Sequence, residues 1–210
     1  MSPNREGNVM KRSLSAMTII IAGGLVAMAP SVSRANDTFT FPLVVSAGAK
    51  ACLPEAKGLV TLNSLGIVEE MHIQVNFLPP NTDFDVFVIQ QPNAPFGLAW
   101  YEGDLLTDAG GSGATDLIGR FSFGTFIVAP GSTAAPVTQT KGPFPDKSSN
   151  LGKEGPVQLY HVGIWFNSAK DAKKVGCASN PTPFNSTHNA GIQVLNSGTA
   201  KIGPLGHFKP

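Results

Sequence analysis

The clearest pattern in the chain is the alternation from Glu70 to Phe77, in which Met71, Ile73, Val75 and Phe77 interleave with Glu70, His72, Gln74 and Asn76. A period of two puts the apolar set on one face of a strand, against a core. Leu78-Pro79-Pro80-Asn81-Thr82 ends that strand, since proline cannot donate to a ladder and asparagine favours turns. The next strand runs from Phe84 to Ile89. Further apolar, β-branched and aromatic runs predict strands at Phe39 to Ser46, Gly58 to Leu62, Leu117 to Phe123, Phe126 to Ala129, Val157 to Phe166 and Gly191 to Leu195. The run Val157 to Phe166 is apolar on both faces and reads as a central strand covered on both sides. One helix is predicted, near residues 168–175: Asn167 or Ser168 caps it, Lys173 and Lys174 lie in its last turn, and Gly176 follows. Short strands separated by turns predict an all-β fold, an antiparallel β-sandwich of Ig-like or Greek-key order rather than a barrel.

Composition supports this reading. Gly and Pro together make up about a fifth of the 210 residues and fall between the apolar runs rather than inside them. The stretch Ala129 to Pro156, rich in Pro, Gly, Ser, Thr and Lys, reads as a long surface excursion.

The first 35 residues differ from the rest. Lys11 and Arg12 precede an apolar run from Met17 to Met28, and Ser33-Arg34-Ala35 offers a cleavage site after Ala35. The run would span about 18 Å as a helix, too short for a hydrocarbon layer of about 30 Å. The expectation is a signal peptide over 1–35, translation starting at Met1 or Met10, and a single exported domain over 36–210, secreted or periplasmic, with no integral membrane segment after cleavage. Removing Arg5, Lys11, Arg12, Arg34 and Glu6 leaves 11 basic and 13 acidic residues. A nearly neutral chain without a basic run argues against nucleic acid as a partner. Two Asn-x-Thr triplets, at Asn36 and Asn185, matter only in a host that glycosylates exported chains.

The only cysteines, Cys52 and Cys177, lie in the exported part, where an oxidising compartment favours a disulfide. Two buried thiols, or a pair of metal ligands, are the alternatives.

From about Gly58 to Ala129 the chain resembles chordin-type extracellular β-sandwich modules. The resemblance rests on Phe77-Leu78-Pro79-Pro80-Asn81-Thr82-Asp83-Phe84-Asp85-Val86, followed by Gly103-Asp104-Leu105-Leu106-Thr107-Asp108-Ala109-Gly110-Gly111-Ser112-Gly113. It implies that the first element ends one strand and begins another, and that the second is a hairpin turn before a further strand. Gln91 to Tyr101 is inserted between them. Such modules share a fold and no chemistry.

Candidate sites are few. Phe96, Trp100 and Tyr101, in the inserted stretch, offer flat apolar faces to a sugar ring or a partner protein, or else cap the core with Leu98. His161 and His188, if brought together, would suit Cu²⁺ or Zn²⁺, whereas a lone His161 is a hydrogen-bonded core residue. The loop Asp104 to Asp116 carries oxygen ligands but not the register of a calcium loop, and reads as a plain turn. Gly110-Gly111-Ser112-Gly113-Ala114 lacks the final glycine of a nucleophile elbow. Glu69 and Glu70, adjacent on a strand, face opposite ways and cannot act as a paired acid and base. No catalytic residue or cofactor is assigned. The sequence therefore predicts a noncatalytic surface or extracellular binding module for an unknown glycan or protein. A self-assembling structural protein with exposed, unpaired edge strands such as Phe39 to Ser46, and a metal-dependent enzyme using His161 and His188, are the alternatives.

Overall fold

The computed structural model of the chain describes residues 38–129, 137–141, 145–146, 155–178, 180–183 and 189–210. The expected signal segment, Asn36, the Asn185 triplet and His188 lie outside the described residues.

In chain order the strands are β1 (Thr38–Val45), β2 (Lys57–Ser64), β3 (Glu69–Asn76), β4 (Asp83–Ile89), β5 (Ala99–Leu106), β6 (Gly113–Gly119), β7 (Phe126–Ala129), β8 (Gly155–Gln158), β9 (His161–Phe166), β10 (Thr182–Pro183), β11 (Asn189–Ala190) and β12 (Gln193–Asn196). Eight of them form one antiparallel sheet in the order β5-β4-β9-β12-β1-β2-β3-β6. The sheet nearly closes on itself, because β5 and β6 are joined by a bridge between Thr107 and Gly113 and a Cβ on Gly103 would meet Leu117 at 2.8 Å. Strands β4, β5 and β6 follow one another, and β3 lies beside β6, which is Greek-key order. The fold is therefore the expected antiparallel all-β architecture with one short helix, α1 (Ala169–Lys174), capped by the Ser168 side chain accepting from the Asp171 N–H.

Strand β1 joins the two halves. Thr38 to Leu43 pair with β2, and Val44 and Val45 pair with β12. It is thus an interior strand, and the free pairing edge expected of it for self-assembly is absent. The core lies between the halves, with Val60, Leu62, Met71, Ile73 and Val75 facing Phe84, Val86, Val88, Val162, Ile164, Phe166 and Leu195.

Three local expectations change. Phe77 does not continue the core row of β3: its φ is 60°, it is 57 % exposed, and Lys57 Nζ lies 4.9 Å from its ring. A left-handed residue at the strand's end breaks the alternation. The run Val157 to Phe166 is two strands, because Leu159 donates to the Thr125 carbonyl and β8 turns away to pair with β7. Only β9 is central, and all six of its residues are buried, as expected for a strand covered on both faces. The strand expected at Leu117 to Phe123 begins earlier, at Gly113, and stops at Gly119. Within the Ala129 to Pro156 excursion, the described part is tied down by Asp146, whose carboxylate accepts from the N–H groups of Thr138, Gln139 and Gln158.

Cys52 and Cys177 form the expected disulfide, with Cα atoms 5.3 Å apart and a sequence separation of 125. It fastens the turn after β1 to the C-terminal end of α1. In the chain-entropy model a loop of this length stabilises by at most about 5 kcal/mol. Replacing both cysteines by alanine should therefore lower the guanidinium midpoint, and reductant should shift the parent protein but leave the variant unchanged.

Candidate functional site

The outer face of β9, with His161, Gly163 and Trp165, is as buried as its core face, and this is unusual for an antiparallel sheet. Trp165 is fully buried there, with Phe87 at 5.4 Å and Phe96 at 5.0 Å, both edge-on, and Tyr101 edge-on to Phe87 at 5.7 Å. Ile89 and Ala190 complete a second, smaller core. Gly163 is required beneath it: a Cβ there would fall 2.3 Å from Trp165 Cζ3. The cluster is roofed by the segment between β4 and β5, held by Gln90 Oε1 accepting from Leu98 N–H and by Gln91 N–H donating to the Phe96 carbonyl.

Beside this roof lies a groove of about 650 Å³. Its walls are supplied by the end of β1 and the turn that follows, Val44 to Gly48 with Lys50, and by Asn93, Ala94 and Phe96 together with Asn180 to Thr182. The floor comes from Ile192 and, in β12, from Gln193 and Asn196. At the floor is a buried polar network. Ser46 Oγ donates to Gln193 Oε1 at 2.9 Å, and Asn196 Nδ2 donates to both Ser46 Oγ and Gln193 Oε1 at 3.3 Å. Asn196 Oδ1 accepts from Gly198 N–H, which fixes the remaining end of the amide. Gln193 Nε2 is buried over Gly163 without a hydrogen-bond partner among the described residues. The disulfide sits next to both walls, since Cys52 follows Lys50 by two residues and Cys177 precedes Asn180 by three.

The structure separates the three aromatic candidates. Phe96 lines the groove and Tyr101 lies in the outer cluster, its hydroxyl donating to Asp104 Oδ1 at 2.7 Å. Burial, then Asp104, raises the Tyr101 pKa above the ordinary phenol range. Trp100 is 56 % exposed and stands opposite Val88 in the ladder. Trp100 and Tyr101 belong to β5, not to a loop, so neither caps the core as Leu98 does from its partly buried place against it. Periodicity missed β5 because Glu102 is an extra residue at a bulge between the Val86–Gly103 and Phe87–Tyr101 pairs.

His161 is 2 % exposed, with Nδ1 3.1 Å from Ser197 Oγ and a backbone hydrogen bond with Ala200. Burial lowers its pKa to about 4, so the ring is neutral at physiological pH. Among the described residues no three His, Cys, Asp or Glu side chains converge as metal ligands. Asp108 closes its own turn, with Oδ1 accepting from Gly110 and Ser112 N–H, which is the turn reading of that loop. Glu69 is buried and accepts from Phe121 N–H, whereas Glu70 accepts from Asn63 Nδ2 on the outer face, the opposite orientation expected of neighbours on a strand. No helix among the described residues is long and apolar enough to cross a membrane.

No family model and no curated protein sequence matches the chain. The fold and the groove therefore carry the functional argument alone.

Two groups titrate in opposition. Glu102 at the bulge is pushed up to about 7 by burial, and His161 down to about 4. The folded state favours neutral His161, a contribution complete above about 6.5 and lost as the pH falls towards 4. It also favours protonated Glu102, a contribution complete below about 4.5 and lost as the pH rises through 7. Each amounts to roughly 3 kcal/mol, an upper figure for the partly open Glu102. Across pH 4 to 7 they offset one another. Glu102→Gln should therefore be more stable than the parent at pH 8, and should lose more stability than the parent on acidification to pH 4.5; parallel urea-unfolding profiles would refute the burial assigned to Glu102.

Proposed function

We propose that the chain is an exported, noncatalytic binding protein that takes its ligand in the groove beside the disulfide. The observation that carries this reading is the groove itself, with walls of apolar and neutral polar side chains, a buried hydroxyl and carboxamide network at its floor, and a disulfide fastening two of the segments that line it. Its volume falls within the range of small-ligand sites, and a few oriented polar groups among apolar walls are what such sites contain. The basic, apolar and small-residue succession of the first 35 residues supports export, as does a disulfide. A kinship with chordin-type modules over Gly58 to Ala129 belongs to the same proposal.

Gly48 provides a means of blocking the groove. It lines one wall, has no positive φ, and a Cβ on it would meet nothing within 4 Å. Gly48→Trp should fold as the parent does and fill the groove. Co-sedimentation of the oxidised protein with the envelope and extracellular matrix fraction of its host tests the reading. The parent and Ile118→Ser, altered on the exposed outer face of β6, should pellet, and Gly48→Trp should stay in solution. Equal behaviour of all three, or no pelleting of the parent, would overturn the proposal.

A further inference from the structure

We infer that the ligand of this groove is an uncharged carbohydrate segment, an inference that rests on the groove being the binding site. The residues that line it supply the reason. Among the described residues, seven carry a hydroxyl or carboxamide, none carries a carboxylate, and Lys50 at the rim is the single charge. Hydroxyls and carboxamides both donate and accept, which matches a sugar hydroxyl, itself donor and acceptor; carboxylates only accept and ammonium groups only donate. A charged ligand would lose its hydration in this groove with one cation to meet it, whereas a neutral polyol exchanges hydrogen bonds with water for hydrogen bonds with the wall.

The apolar parts fit the same ligand. Phe96 is half-buried, its ring held against Trp165, and so offers a fixed aromatic surface beside Asn93, Asn180 and Thr182. A sugar ring presents C–H groups on one face and hydroxyls round its edge, and such a rigid aromatic surface flanked by amides receives both. Size favours the smaller ligand. A stable protein partner needs roughly 800 Å² of surface on each side, whereas about 650 Å³ of concave space holds roughly one to three sugar rings. The polar lining disfavours a purely apolar ligand, which would cut Asn93, Asn180, Thr182 and Thr199, outside the buried network, off from water without replacing it.

Calorimetric titration of the full oxidised protein with cellohexaose, maltohexaose and chitohexaose, and with oligogalacturonate and a heparin hexasaccharide as anionic probes, tests this. At least one neutral oligosaccharide should bind with one-to-one stoichiometry. Asn180→Ala, at an exposed rim position, should weaken that binding at least threefold with an unchanged Tm, and Gly48→Trp should abolish it. Binding of the anionic probes alone, neutral binding that survives Gly48→Trp, or no binding of any probe would overturn the ligand class. The two readings fail separately: if Gly48→Trp still releases the protein from the envelope fraction while no neutral oligosaccharide binds, the carbohydrate assignment falls and the groove stands; if that release also fails, the groove itself is wrong.

Discussion

The arrangement depends on β9 being buried on both faces. Its core side, Val162, Ile164 and Phe166, is what any sandwich strand supplies, but Trp165 on the other side is equally inaccessible. An indole on the outer face of an open sheet would lose the stabilisation of a large buried apolar area, of the order of 25 cal/mol per Å². The chain therefore carries extra backbone to cover it, the segment between β4 and β5 from one side and Ala190 from the other. These covering segments project beyond the sheet, and the space beside them is the groove. The site is thus a by-product of roofing a second core.

The disulfide acts on the same feature. A core of this extent has no need of a staple for folding, since a domain of this size buries roughly 70 % of its unfolded surface. Its position is what distinguishes it: it connects the turn after β1 to the segment leading to Asn180, two stretches that both line the groove. Both are short connections with few core side chains, and such segments open locally at low free energy unless constrained. A covalent tie there fixes the spacing of the groove more than it holds the sheet, whose eight strands are already joined by hydrogen-bonded ladders from β5 to β6.

The fold was largely legible in the sequence and the site was not, for different physical reasons. Alternation marks a strand with one wet face, so β3 and α1's cap could be read directly, and the apolar continuity of β9 announced burial on both faces. Phe77 misled because a single positive φ reverses the side chain's direction, and alternation has no term for that. Strand β5 was hidden by Glu102, whose bulge places two consecutive residues out of phase. The disulfide was legible because two cysteines permit one pairing. Ser46, Gln193 and Asn196 left no mark, since each is a lone polar residue at the margin of an apolar run. What they form depends on β1 and β12 meeting at Val44–Asn196 and Val45–Leu195, across about 150 residues of chain. Of the aromatic residues singled out, Phe96 alone reaches the groove, because the bulge rotates Tyr101 into the outer cluster and leaves Trp100 at the far side of the strand.

The polar network also bears on why the groove is open rather than filled. Three buried polar side chains cost stability unless satisfied, and apolar residues of similar size would pack without that requirement. Here they satisfy one another almost completely, with Gln193 Oε1 accepting twice and Asn196 held at both ends. Such a network has one low-energy arrangement, so it holds the floor in a fixed shape, whereas an apolar floor of leucine and valine would be free to repack and close the space. A floor fixed by hydrogen bonds beneath walls fixed by a disulfide and by the Trp165 cluster has little conformational freedom left to lose when a ligand enters. That is the condition under which weak, neutral contacts from a few hydroxyl and amide groups are sufficient to hold one.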